Sequence, residues 1–86
     1  MARYPIRVRT TSKMVKKFSA PIALEISRKI EDYVNDQAKD NPVTVIDYFE
    51  ISANLGISKE LVRDLLFPVD GGHNGITINN PQAEKK

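Results

Sequence analysis

The side chains that could support catalysis are few and widely separated in this sequence. The only histidine, His73, lies in a glycine-rich stretch with no carboxylate at triad or metal-ligand spacing. There is no cysteine, which excludes a thiolate nucleophile, a disulfide and a thiolate metal site. Asp36 and Asp40 lie one helical turn apart, but paired surface carboxylates are ordinary. Because catalysis needs a positioned nucleophile, base or metal, the sequence predicts a protein that is not an enzyme and holds no cofactor or metal.

Basic side chains are concentrated near the start of the sequence, where they could bind phosphate. Residues 1–18 carry a net charge of +6 and residues 19–86 a net charge of −4. The six basic residues are Arg3, Arg7, Arg9, Lys13, Lys16 and Lys17. Ile6 and Val8 alternate with two of the arginines, which is typical of an extended segment. Two interpretations follow: a flexible basic arm that lies on nucleic-acid phosphates or enters a minor groove, or an edge strand that covers the core with its arginines solvated.

A helix, a tight turn and a second helix are predicted around residues 52–66. Gly56 follows the last apolar residue of the first helix, where a left-handed conformation ends a helix without a Cβ clash. Ser58 has the position of an N-cap for the second helix. The apolar residues of that helix recur at helical spacing, and they are Leu61, Val62, Leu65 and Leu66. Two helices joined by so short a turn pack at a steep angle.

The same stretch resembles the helix-turn-helix family. That family's pattern has an apolar residue five positions before the turn glycine, a small residue four before it and an apolar residue directly before it. It also has apolar residues one, six and nine positions after the glycine. The matching residues are Ile51, Ser52, Leu55, Ile57, Val62 and Leu65. The match has no gap.

Two further elements are predicted before the turn. A long helix begins near Ser19-Ala20-Pro21, because proline is tolerated in the first turn, and it ends at Asn41-Pro42. Thr44 is predicted to begin the helix that precedes the turn, with Asp47 at the third position as in a capping box. The β-branched residues after Thr44 would also suit a short strand.

A β-hairpin is predicted after the second helix of the motif. Pro68 is expected to end that helix, the glycines of residues 71–75 favour a hairpin loop, and Ile76–Ile78 alternates as a strand whose partner would be residues 67–70. A hairpin at this place resembles the wing of winged-helix proteins. The predicted fold is mainly α with a small β-hairpin. It is a three-helix winged helix-turn-helix domain over residues 19–79, preceded by a basic arm (1–18) and followed by a disordered tail (80–86).

The winged-helix resemblance implies double-stranded DNA as partner and assigns roles to residues. In that family the helix after the turn enters the major groove, and the wing touches the backbone or the minor groove. The residues implied to face the groove are Ser58, Lys59, Glu60 and Arg63, and those implied to contact the DNA backbone are Thr44, His73 and Asn74. Arg63 could bridge the two acceptors of guanine, Lys59 could hold a phosphate or guanine, and Glu60 could accept from the amino group of cytosine.

The charges on the second helix leave another function open. Lys59 and Arg63 form one column, and Glu60 and Asp64 form a second column beside it. A helix that reads DNA alone is more often net positive. We expect a winged-helix transcriptional regulator, acting as a homodimer because one short helix contacts too few base pairs for useful specificity. The alternative is a winged-helix protein–protein interaction module, or RNA binding through the arm, without sequence-specific DNA recognition.

Length and composition predict one small domain. The chain has 86 residues, of which 41% are apolar, near the lower end of what folds alone. It has no run of eighteen apolar residues and no apolar stretch typical of a secretory signal. We expect a cytoplasmic protein, associated with the nucleoid if it binds DNA, although the basic N-terminus also has the composition of an organelle transit peptide.

Overall fold

The computed structural model describes residues 2–70 and 72–83. These residues form a small α+β domain with four helices and one three-stranded sheet. In chain order the elements are β1 (Ala2–Arg3), α1 (Ser12–Phe18), α2 (Ala20–Ala38), β2 (Val43–Asp47), α3 (Tyr48–Leu55), α4 (Lys59–Asp70) and β3 (Gly75–Asn79). The predominance of helix agrees with the sequence prediction, whereas the arrangement of the strands differs from it.

The predicted start of the long helix and the predicted turn are confirmed, whereas the long helix ends at Ala38, before the predicted end at Asn41-Pro42. Helix α2 has Pro21 in its first turn. Gly56 ends α3 in the left-handed region, with φ 66° and ψ 29°, and its N–H donates to the Ser52 carbonyl. Ser58 caps α4, because its hydroxyl accepts from the N–H of Leu61 at 3.3 Å. The helix–turn–helix segment is therefore formed by local signals that the sequence carries directly.

The predicted hairpin is wrong. Strand β3 lies between the other two strands, antiparallel to β2 and parallel to β1, with Thr77 opposite Val45 and Ile78 opposite Ala2. Residues 67–70, the expected partner of β3, belong to α4. Pro68 does not end that helix, because in the last turn it removes only one backbone hydrogen bond, the one to the carbonyl four residues earlier.

The prediction that Thr44 begins a helix is also wrong, and the short strand that we considered there is confirmed. Strand β2 continues to Asp47, whose carboxylate accepts from the N–H of Phe49 at 2.6 Å and caps α3. Ile46 is buried, whereas Val45 is exposed. β-Branched residues that alternate in this way fit one face of a sheet better than the first turn of a helix.

The core is built from every element, together with the extended segment that precedes α1. Its largest fully buried side chains are Tyr48, Ile30, Ile51, Leu65, Leu66, Ile76, Ile78, Val34 and Val62. Ile6, Val8 and Met14, which belong to the basic N-terminal part, are buried in the same cluster. The N-terminal part of the chain is thus a component of the domain.

Residues 80–83 do not form the predicted disordered tail. The buried Asn80 side chain donates to the carbonyls of Ala38 and Lys39 at 2.9 and 3.0 Å, and its backbone N–H donates to the Pro42 carbonyl at 2.8 Å. Asn80 therefore helps to satisfy the carbonyls at the end of α2, where the N–H of Asn41 also donates to the Ala38 carbonyl at 3.4 Å. The tail predicted for residues 84–86 lies outside the described residues.

Candidate nucleic-acid interface

Three polar side chains of α2 hold the N-terminal segment in place. The Asn35 side chain makes two hydrogen bonds to the backbone of Ile6, accepting from its N–H at 2.9 Å and donating to its carbonyl at 3.0 Å. Glu31 accepts from the N–H of Val8 at 2.9 Å. The hydroxyls of Ser27 and Thr10 lie 3.3 Å apart. We call these three contacts the α2 ladder.

The α2 ladder can form because its residues on α2 and their partners on the N-terminal segment repeat at nearly the same distance. Ser27, Glu31 and Asn35 are spaced by four residues, or ~6 Å along a helix. Their partners are spaced by two residues, or ~6.6 Å along an extended chain. With the backbone held and alternate apolar residues buried, Arg7 and Arg9 are exposed. The interpretation of residues 2–18 as a separate flexible arm is therefore wrong. The edge-strand interpretation is correct in burying Ile6 and Val8 beneath solvated arginines, although the strand itself comprises only Ala2–Arg3.

Helix α1, which the sequence did not lead us to expect, brings lysines to α4. Thr11 caps α1 through a 3.3 Å hydrogen bond from the N–H of Met14, whose side chain is buried. The Lys13 ammonium lies 3.7 Å from the Asp64 carboxylate. Lys13 also lines one shallow depression together with Glu60, Arg63 and Asp64. An exposed ion pair adds little stability. Its importance here is that it shows Lys13 of α1 beside α4.

The acidic column of α4 thus faces cations from another part of the chain. Lys17 lines the depression that contains Glu60 and Asp64, beside the start of α4. Further along the helix, Arg7 and Arg9 line a groove with Leu65 and Pro68. The N-terminal segment and α1 together follow the side of α4 that carries Glu60, Asp64 and Pro68.

The other exposed column of α4 continues beyond the two predicted cations. Lys59, Arg63 and Phe67 follow one another at intervals of four residues, and all three are exposed. The ring of Phe67, 43% exposed, lies 6.0 Å from the ring of His73, measured between centroids. The sequence pattern placed Phe67 in a strand and gave it no part in binding, although it follows Lys59 and Arg63 at intervals of four residues.

His73 and Asn74 are exposed, but they lie in the connection from α4 to β3 and not at the tip of a wing. Tyr48 holds this connection at two points. Its hydroxyl donates to the Gly72 carbonyl at 2.8 Å, and its N–H donates to the Asn74 carbonyl at 3.0 Å. The loop that carries His73 and Asn74 is therefore held at the start of α3, and the contact with the Phe67 ring places His73 beside the end of α4.

The remaining candidates separate into two groups. Ser58, Lys16 and Lys17 are exposed near the start of α4 or on α1, and the Lys17 ammonium lies 5.4 Å from the centre of the Phe18 ring. Arg3 lies opposite Asn79 in the sheet, away from this group. The Thr44 hydroxyl is buried and has no hydrogen-bond partner among the described residues. Burial in strand β2 removes Thr44 from the candidate interface.

Comparison with known proteins gives no family assignment for this chain, because no protein-family model, curated protein or solved structure matches it. Within residues 2–70 and 72–83 no helix is long and apolar enough to cross a membrane. The same residues contain no group of three or more histidine, aspartate or glutamate side chains arranged to hold a metal ion.

Proposed function

We propose that the protein binds double-stranded DNA, with α4 in the major groove and the N-terminal segment and α1 on the phosphate backbone. The observation that carries the proposal is the position of Lys13, 3.7 Å from Asp64 and beside Arg63. Arg7, Arg9 and Lys17 also line depressions against α4, the helix that carries Lys59 and Arg63. The basic part of the chain therefore lies beside the helix that carries two further cations, and in this proposal these cations together bind phosphates.

The order of elements supports a winged-helix interpretation in a modified form. A helix, a capped helix, a glycine turn and a second capped helix are followed by a strand, as the resemblance implies. The hairpin wing is replaced by β3 and the anchored loop that carries His73 and Asn74. In this proposal the loop contacts the DNA backbone, and Arg63 and Lys59 reach into the groove.

A salt titration of binding to duplex DNA tests the electrostatic part of the proposal. Because residues 2–18 are packed into the domain, the basic residues should be neutralised by substitution and not by truncation. We expect the combined change Arg7→Gln and Arg9→Gln to reduce the slope of log affinity against log salt by about 1.8, since each neutralised phosphate contributes about 0.9. The matched control, Arg28→Gln with Lys29→Gln on the exposed side of α2, should leave the slope unchanged.

Base recognition is tested separately with Arg63 and Lys59. Arg63→Ala should reduce the preference among duplex sequences by about 1–3 kcal/mol at one base pair. Lys59→Ala should weaken binding to all sequences alike if it contacts a phosphate. If the wild-type protein does not bind any duplex at low salt, the DNA proposal is wrong and the protein–protein interaction module becomes the better interpretation.

A further inference from the structure

Strand β2 has a free backbone edge. It is the outer strand of the sheet, and no strand of the described residues pairs with its other side. The Asn80 N–H donates to the Pro42 carbonyl and the Tyr48 N–H donates to the Asn74 carbonyl. These bonds show that the even-numbered residues of β2 form the hydrogen bonds to β3. In an antiparallel ladder alternate residues bond to the same neighbour. The N–H and carbonyl groups of Val43 and Val45 therefore face the free edge.

The same edge carries the three most exposed large apolar side chains of the described residues. Val43 is 53% exposed, Val45 is 73% exposed, and Phe49, just past the end of the strand, is 67% exposed. Natural edge strands are commonly protected by lysine, proline within the strand or a bulge. Strand β2 has none of these, and its one charged residue, Asp47, is engaged in capping α3.

We propose that this edge pairs antiparallel with the same edge of a second copy of the chain, around a two-fold axis at Thr44. Val43 then lies opposite Val45 of the second copy, and the free groups of these residues form four backbone hydrogen bonds. Thr44 lies opposite Thr44 of the second copy at a position where side chains come closest.

The size of the surface determines the strength of the pairing. Two half-exposed or more exposed valines and one phenylalanine offer about 300 Å² of apolar area per copy, whereas standard interfaces bury about 800 Å² per partner. The dimer is therefore weak and depends on concentration. A second copy is the favoured occupant because one two-fold axis satisfies the same groups on both sides. The inference does not depend on DNA binding.

Sedimentation equilibrium of the full chain over a wide concentration range tests the proposal. We expect reversible dimerisation that Val45→Lys weakens by at least tenfold. Ile22→Lys, at a 49% exposed apolar residue of α2, should leave it unchanged. Circular dichroism verifies that both variants fold. The proposal is wrong if the wild-type protein remains monomeric at every concentration, which would leave the edge for a strand of another protein, or if both variants weaken association equally.

Cysteine cross-linking tests the register, because the chain has no cysteine of its own. Thr44→Cys should form a disulfide-linked dimer on mild oxidation, since the two copies of this residue lie directly opposite each other. Val45→Cys is the control, because its two copies would be diagonal neighbours about 7–8 Å apart. A disulfide needs Cα atoms that are less than about 7 Å apart. Efficient linkage through residue 45 without linkage through residue 44 would overturn the proposed register.

Discussion

Ser19 is the residue whose backbone conformation fits its type least well. It joins α1 to α2 with φ 93° and ψ 157°, a region used almost entirely by glycine. Its backbone is needed there, because its N–H donates to the Val15 carbonyl and its carbonyl accepts from the N–H of Ala23. Its side chain makes no capping hydrogen bond with α2. Serine therefore carries strain at this joint without a compensating cap.

Replacing Ser19 by glycine should stabilise the protein. Relief of the strained conformation outweighs the added freedom of the unfolded chain, and we expect the free energy of unfolding to rise by about 1 kcal/mol. Urea denaturation measures this change. Ser19→Ala keeps the Cβ atom and the strain, so it should give no such gain. An equal gain from alanine would show that the strain is not the cause.

Asn80 is a second residue whose importance depends on its surroundings. Asn80→Ala leaves the carbonyls of Ala38 and Lys39 without the amide that now donates to them. We expect the free energy of unfolding to fall by about 2 kcal/mol, because the Lys39 carbonyl loses its amide donor and the Ala38 carbonyl keeps the longer bond from Asn41. Gln82→Ala, at an exposed neighbouring residue, is the control and should change it by less than about 0.5 kcal/mol. Similar losses from both substitutions would contradict the capping role.

At the scale of elements, the attachment of the N-terminal segment to α2 depends most on Asn35. Asn35→Ala removes both hydrogen bonds to Ile6, and we expect a loss of about 2 kcal/mol in the free energy of unfolding. Hydrogen exchange should show faster exchange at the Ile6 and Val8 amides than at those of β3. Asn54→Ala is the matched control, since it removes one exposed hydrogen bond within α3. Unchanged exchange at Ile6 would mean that burial alone holds the segment.

The elements also show what the sequence could predict. The start of α2, the Gly56 turn and the Ser58 cap are set by neighbours within a few residues, and they were predicted correctly. The pairing of β3 with β2, thirty residues away, was missed because a short apolar alternation does not identify its partner. The α2 ladder was missed because polar residues on a helix also occur as a solvated face. Ser27, Glu31 and Asn35 hold the N-terminal segment only because that segment lies beside them in the fold, which the sequence does not show.

At the scale of the whole molecule, cations of the basic N-terminal part lie against α4, which belongs to the net acidic remainder of the chain. The candidate interface could be predicted from sequence in its parts, the basic cluster and the helix, but not in their proximity. The acidic column that seemed to weaken the DNA interpretation is the one that Lys13 and Lys17 face. Asp64 therefore pairs with a cation of α1, and its negative charge remains on the same surface.

Neutralising Asp64 tests this arrangement and assumes the proposed function. Asp64→Asn removes a negative charge beside Lys13 and Arg63, so affinity for duplex DNA should rise about threefold to tenfold at low salt and less at high salt. Fluorescence anisotropy with a labelled duplex measures the change. Asp32→Asn on α2 gives the same change of net charge elsewhere and should have a smaller effect. Equal gains from both variants would mean that only total charge matters.

The pairing of β1 with β3 has a consequence for the order in which the protein can fold during synthesis. Residues 2–3 are synthesised before the other elements of the domain, yet their strand partners are residues 78–79. Helices α3 and α4 have capping residues directly beside them and can begin to form as they emerge, whereas the sheet cannot close until residue 79 is available. Contacts so distant in sequence are slow to form. The pairing of residues 2–3 must therefore wait until β3 has been synthesised.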